Sequence, residues 1–168
     1  MTPVHPLRIV VIDDNEDDVL LLREALDGLV GVELIGSEPD GEAGLACLDD
    51  CLRRQALPDL VLLDLNLPGR NGIEILRSLK ANPGLKDIPV VLLSTSNLES
   101  DIHRALNHGA ESYLSKPGRF DVLQQELQRL VVLLAIADRC FALAAALQEL
   151  GGQRSEEHTS ELQSQFRI

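Results

Sequence analysis

Residues 59–96 read DLVLLDLNLPGRNGIEILRSLKANPGLKDIPVVLLSTS, and this stretch decides the fold. It opens on an apolar run from Asp59 to Asp64 and closes on a second from Pro89 to Ser94. Neither run alternates apolar with polar residues, so each reads as a strand buried on both faces, the environment of a parallel sheet covered by helices. Between them the turn from Gly69 to Gly72 leads into Ile73, Leu76 and Leu79 or Lys80, spaced by three and four, which is the period of a sheet-covering helix.

The same alternation extends in both directions. Leu7 to Ile12 reads as a further buried strand, Val32 to Gly36 as a short weak one, and Ser112 to Ser115 as the last. Helical stripes fall between and after them: Val19, Leu22, Leu26 and Leu29; Ala43, Ala46, Cys47 and Cys51; Ile102 and Leu106 with Ala105; and Phe120, Leu123, Leu127 and Leu130. The expected class is therefore α/β, a (βα)5 doubly wound parallel sheet over residues 7–130 behind a short tail at 1–6. Leu133, Ile136, Cys140, Leu143, Leu147 and Leu150 then step by three and four, which predicts an extended C-terminal helix over 131–152. That seam is a narrow one of about two and a half heptads, suited either to dimerisation or to packing back on the domain. The chain changes character at Gly151 and Gly152, and Arg154 to Ser164 resembles the translation of a sequencing adaptor. Residues 153–168 are accordingly read as a non-native or disordered tail, outside the fold.

Composition removes several classes of function. A formal net charge of -12 repels phosphate backbones, so no nucleic-acid partner is expected. Aromatic residues make up 2% of the chain, too few for a base-stacking platform. The longest apolar stretch, Val131 to Ala137, falls far short of the roughly 20 residues of a membrane span, so no membrane association is expected. Cys47, Cys51 and Cys140 lack metal-ligand spacing, and an odd count without a signal peptide predicts a reduced, cytoplasmic chain.

Open parallel sheets bind ligands at the carboxyl ends of their strands, so the polar residues just past each apolar run carry the chemistry. Those residues are Asp13 and Asp14, then Asp64, Ser94 and Lys116-Pro117. In a strand order of 2-1-3-4-5 they converge. Clustered carboxylates repel one another and persist where a hard divalent cation neutralises them, which points to Mg2+. A metal, the Lys116 ammonium and the Ser94 hydroxyl together match the equatorial oxygens of a transferring phosphoryl group, with Asp64 as the attacking carboxylate. Asp13 and Asp14 could instead cap the first helix, but Asn15, Glu16, Asp17 and Asp18 already supply that role.

On these residues, Leu7 to about Leu130 resembles the receiver domain of a two-component response regulator. The family's signature is an acidic pair after strand one, a phosphoacceptor in a D-x-x-x-P context, a Ser or Thr ending strand four and a Lys-Pro after strand five. These stand here as Asp13-Asp14, Asp64 to Pro68, Ser94 and Lys116-Pro117. Within the family, residues 64–96 are most similar to the small regulators paired with bacterial phytochrome-type histidine kinases. The resemblance implies the flavodoxin-like strand order and phosphorylation of Asp64 by a sensor histidine kinase. It implies Mg2+ held by Asp13, Asp14, Asp64 and the main-chain carbonyl of Asn66, with Lys116, Ser94 and Thr95 around the phosphoryl group. It also makes Ser94 and Tyr113 a switch pair, and spacing back from Lys116-Pro117 selects Ser94 over Thr95 as the switch hydroxyl. Output is expected through the fourth helix, fifth strand and fifth helix, with a homodimer through the fifth helix and its extension.

The resemblance implies a phosphoacceptor that assists its own phosphorylation and dephosphorylation, and no turnover enzyme is expected. A dehalogenase-like phosphatase would need D-x-D-x-[TV] after the first strand, and Asp13-Asp14-Asn15 does not supply it. A flavodoxin-like FMN carrier would need a hydroxyl- and glycine-rich loop where this chain is acidic. The remaining alternative is a receiver-like module that binds partners without phosphorylation.

Overall fold

A computed structural model describes residues 5–95, 98–116 and 118–137. In chain order its elements are β1 (Leu7–Ile12), α1 (Glu16–Asp27), β2 (Val32–Glu38), α2 (Gly41–Arg53), β3 (Leu60–Asp64), α3 (Gly72–Ala81), β4 (Val90–Ser94), α4 (Glu99–Asn107) and β5 (Ser112–Ser115). A fifth helix, α5, covers residues 120–137. The five strands form one sheet in the order β2-β1-β3-β4-β5, and every pair is parallel.

β3 and β4 are buried along their whole length, as continuous apolar runs require. β1 is buried only from Ile9 onward, with Leu7 and Arg8 partly exposed at the sheet's entry side. β2 runs two residues past Gly36, to Glu38, because it lies at the edge beside β1 and its register shifts between Ile9 and Val10, which carries pairing on to Ile12 and Glu38. Asp59 does not join β3, since its carboxylate accepts from the Arg8 N–H at 2.7 Å.

Helix faces depart from the apolar stripes, most clearly in α2 and α4. α2 turns Gly41, Gly44 and Leu48 to the core, leaving Ala46 exposed and Ala43, Cys47 and Cys51 at its margins. Glycine is what lets the helix approach, because a Cβ on Gly44 would run into the side chain of Ile12 and one on Gly41 into Ile75. In α4 the buried residue is Ala105, while Leu106 is 46% exposed. α3 settles its own ambiguity, with Leu79 buried and Lys80 reaching back to donate to the carbonyls of Lys86 and Ile88.

Residues up to Gln128 make one compact unit containing the whole sheet, and a second unit starts at Arg129. In the first, α5 contributes the buried Leu123 and Leu127, while Phe120 is exposed. In the second, Val132, Leu133 and Ile136 expose their side chains. The later seam positions Cys140, Leu143, Leu147 and Leu150, and the tail at 153–168, lie outside the described residues.

Candidate functional site

A wholly parallel sheet delivers the carboxyl ends of its strands to one edge, and that edge gathers the acids. Asp13 follows β1, its N–H donating to the Glu38 carbonyl at 3.0 Å. Asp64 and Ser94 are the last residues of β3 and β4, and the Lys116 N–H donates to the Ser94 carbonyl at 2.7 Å. Asp13, Asp64 and Ser94 are the buried polar or charged residues among those described, and they sit together in an otherwise apolar core. A buried charge is costly unless it is paired and hydrogen-bonded. Asp13 Oδ1 accepts from the Asn15 N–H at 3.0 Å, and Asp64 Oδ1 from the Asn66 N–H at 3.3 Å.

The loop between β3 and α3 is folded tightly against the acid. The Gly72 N–H donates to the Leu65 carbonyl at 2.8 Å, and a Cβ on Gly72 would stand 2.9 Å from Leu65 Cα and closer still to the Asp64 carbonyl oxygen. Any side chain there would push the backbone that holds Asp64. Asn71 caps α3 reciprocally with Glu74, so asparagine serves at the turn position where the family usually has aspartate.

Lys116 reaches across from β5 to the other charged ends. Its Nζ lies 2.6 Å from Asp13 Oδ2, 2.9 Å from Asp18 Oδ2 and 3.4 Å from Asp64 Oδ2. Burial works to lower the pKa of this ammonium, but the hydrogen bonds to Asp13 and Asp18 and the charge of Asp64 outweigh it and hold the value above the ordinary 10.5. For Asp64 the balance goes the other way: burial raises its pKa above the ordinary 3.8, with Lys116 and the Asn66 N–H offsetting only part.

One carboxylate oxygen from each of Asp13, Asp14 and Asp64 lies within 4.8 Å of the others. Asp14 is exposed, so this group opens to solvent. Asp13, Asp18 and Asp64 surround a single ammonium and Asp14 joins Asp13 and Asp64 beside it, which leaves an excess of negative charge that a divalent cation with oxygen ligands would neutralise. The donor set fits such an ion, and Asn66 stands beside it through its bond to Asp64.

The residues singled out in sequence thus stand at one edge: Asp13, Asp14, Asp64, Asn66, Ser94 and Lys116. Thr95 follows Ser94 and is exposed, and Tyr113 lies on β5, partly buried against the core and in register with Leu92 of β4. Pro117 and Ser96 fall outside the described residues. Asp18 is the addition. Its sequence position suggests helix capping, yet the side chain of Asn15 caps α1, accepting from the Asp17 and Asp18 N–H groups, and the Asp18 carboxylate goes to Lys116. A signal existed in the sequence: Asp18 heads the i, i+4 stripe that continues with the buried Leu22 and Leu26, so its side chain falls on the sheet-facing side of α1.

The response regulator receiver domain family matches residues 9–128. The chain belongs to this family. It is a signalling domain of two-component systems, in which receiver domains pair with sensor histidine kinases. The receiver domain is 39% identical over 114 residues to the response regulator Rcp1 of Synechocystis sp., covering 66% of this chain and 77% of that protein. It is 35% identical over 130 residues to a probable methanogenesis regulatory protein, FilR2, of Methanothrix harundinacea, covering 74% and 81%. Among solved structures, the phosphorylated cyanobacterial phytochrome response regulator RcpA superposes with a TM-score of 0.68 at 35% identity, over 74% of this chain and 91% of that one. The bacteriophytochrome response regulator AtBRR gives 0.59 at 31% identity, over the same 74% and 91%. The Mn(2+)-bound form of Rcp1 gives 0.65 at 36% identity, again over 74% and 91%. The resemblance to small phytochrome-paired regulators therefore stands beside the family assignment. No helix among the described residues is long and apolar enough to cross a membrane.

Proposed function

We propose that this receiver domain accepts a phosphoryl group on Asp64 from a phytochrome-type sensor histidine kinase, in a Mg2+-dependent transfer that switches a protein-binding surface. The observation that carries the reading is Asp64 itself, a buried carboxylate at a strand end, grouped with Asp13 and Asp14 and within 3.4 Å of the Lys116 ammonium. A carboxylate oxygen of Asp64 attacks the phosphorus of a phosphohistidine. The new P–O bond forms as the P–N bond breaks, and the electron pair of that bond leaves with the imidazole. Asp13, Asp14, Asp64 and the Asn66 carbonyl would hold Mg2+, which when bound offsets charge on the phosphoryl oxygens. Lys116 supplies a second positive charge at the same oxygens. Hydrolysis uses the same residues: water attacks phosphorus, the bond to Asp64 breaks, and inorganic phosphate leaves.

The Ser94 hydroxyl, with Thr95 next to it, turns to a phosphoryl oxygen in the phosphorylated state, and Tyr113 moves inward behind it. That pair couples the site to the face formed by α4, β5 and α5, as a local charge biasing a two-state element. The full burial of Ser94 and the partial burial of Tyr113 on the adjoining strand support the coupling. Free Cys47 and Cys51 suit the reducing cytoplasm, where this reading places the protein.

Transfer is tested by mixing the full chain with a radiolabelled, autophosphorylated phytochrome-type kinase. Label is expected to move to the wild type and not to Asp64→Asn. Label on neither would leave a module that binds partners without phosphorylation. A homodimer through α5 and its extension is supported by the exposed Val132, Leu133 and Ile136. Light scattering of the Leu133→Lys, Ile136→Lys double variant is expected to show a monomer where the wild type is dimeric; equal masses would remove the dimer from the proposal.

A further inference from the structure

We infer that Asp18 is a positioning residue for Lys116, fixing the ammonium so that its third proton faces Asp64 and the incoming phosphoryl oxygen. The inference rests on the phosphoacceptor reading above and extends it to a residue outside the acid pair, the phosphoacceptor and the lysine.

An ammonium carries three N–H donors and no acceptor. At Lys116 two of them have short partners, Asp13 Oδ2 at 2.6 Å and Asp18 Oδ2 at 2.9 Å, while Asp64 Oδ2 stands at 3.4 Å. Two strong bonds to carboxylates on different elements set the direction of the third N–H, which a lysine held by Asp13 alone would be free to rotate about. The two anchors differ in setting. The Asp13 side chain is fully buried, whereas that of Asp18 is 30% exposed, so Asp18 forms the outer wall between Lys116 and solvent. Around the lysine stem the neighbours are Leu21, Leu22, Leu93 and Leu123, beside a hollow of about 30 Å³. None of these side chains offers an acceptor. Among the charged partners of Lys116, Asp18 is the one on this outer side.

Asp18 also stands apart from the metal donors. The oxygens that close to within 4.8 Å belong to Asp13, Asp14 and Asp64. Its effect should therefore appear in the transfer step and not in metal affinity. Its neighbour Asp17 supplies the control, being an exposed acid in the same first turn of α1 with no contact to Lys116.

The test is the initial rate at which acetyl phosphate phosphorylates the full chain at saturating Mg2+, followed by intact mass, in wild type, Asp18→Ala, Asp18→Asn and Asp17→Ala. Asp18→Ala is expected to slow transfer roughly tenfold, the factor that loss of one charge-assisted hydrogen bond makes in a rate. Asp18→Asn, which keeps an acceptor oxygen and loses the charge, should fall between, and Asp17→Ala should match the wild type. Combined with Lys116→Met, which removes the ammonium and keeps the stem, Asp18→Ala should add no further loss. Equal rates in Asp18→Ala and Asp17→Ala, or an undiminished Asp18 effect in the Lys116→Met background, would overturn the inference.

A second readout does not depend on phosphorylation. The chain has three lysines, Lys80, Lys86 and Lys116, so the Nζ signals of a lysine-labelled sample are few. The Lys116 signal should be protected from exchange in wild type and Asp17→Ala and lost in Asp18→Ala; its survival in Asp18→Ala would contradict the anchoring. A wild type that takes no phosphoryl group yet shows this signal would refute the phosphoacceptor reading while leaving Asp18 as the anchor of Lys116.

Discussion

Asp64→Asn is expected to raise the melting temperature of the metal-free chain by several degrees and to abolish the stabilisation that Mg2+ gives the wild type. Burial holds the Asp64 pKa above the ordinary 3.8, with Lys116 compensating only in part. A carboxyl whose pKa is raised on folding favours the fold when protonated. Its contribution is complete below 3.8 and is lost as pH rises through the folded value. At neutral pH the charged Asp64 therefore opposes folding, and asparagine, nearly the same shape without the charge, removes that opposition. The advantage of the variant should shrink as pH falls toward 3.8, where the wild-type carboxyl is neutral as well. On the proposed function, added Mg2+ should bind the native acid cluster and not the unfolded chain, and so stabilise the wild type by RT ln(1 + [L]/Kd), about 2.7 kcal/mol at a hundred times Kd. Calorimetry of both proteins at pH 7 with and without Mg2+ checks all of this. A variant less stable than the metal-free wild type, or one that gains as much from Mg2+, would contradict it.

Lys116→Met is expected to have the larger effect on folding, a loss of about 3 kcal/mol in metal-free solution, because it leaves buried carboxylates without their cation. The side chain of Lys116 is 14% exposed and those of Asp13 and Asp64 are 0% and 7%, so solvent screens little of this interaction. The pKa of Lys116 is held above the ordinary 10.5, so its stabilisation is complete below 10.5 and is lost as pH rises through the folded value. Denaturant titrations at pH 7 should therefore show the full deficit, and titrations at strongly alkaline pH a smaller one. Because Mg2+ opposes the same charge excess, it should recover part of the loss. A deficit that Mg2+ does not reduce would mean that the loss does not arise from the uncompensated charge of the acid cluster.

Much of this was legible in the sequence for a definite reason. β3 and β4 are each four unbroken apolar residues followed by a polar one, so both the strand and its functional terminus appear in the same few letters. What escaped is equally physical. The inner face of α2 is built on Gly41 and Gly44, whose value is the absence of a side chain, and an apolar stripe of Ala43, Ala46, Cys47 and Cys51 cannot reveal that. Leu106 looks like a core residue by hydropathy, yet the short α4 turns only the smaller Ala105 fully inward. Asp18 was masked by its company, one acid in the run from Glu16 to Asp18, and its place at the head of the stripe with Leu22 and Leu26 was the one sign in the sequence that sets it apart from the acids that face water.

Everything above turns on whether Asp64 accepts a phosphoryl group. Incubation of the full chain with acetyl phosphate and Mg2+, followed by intact-mass analysis, tests it most directly. The wild type should gain one phosphoryl mass that disappears in chelator and is absent from Asp64→Asn. A gain of the same mass by Asp64→Asn would place the chemistry on another residue, and no gain by the wild type from either acetyl phosphate or a phosphorylated phytochrome-type kinase would contradict the account.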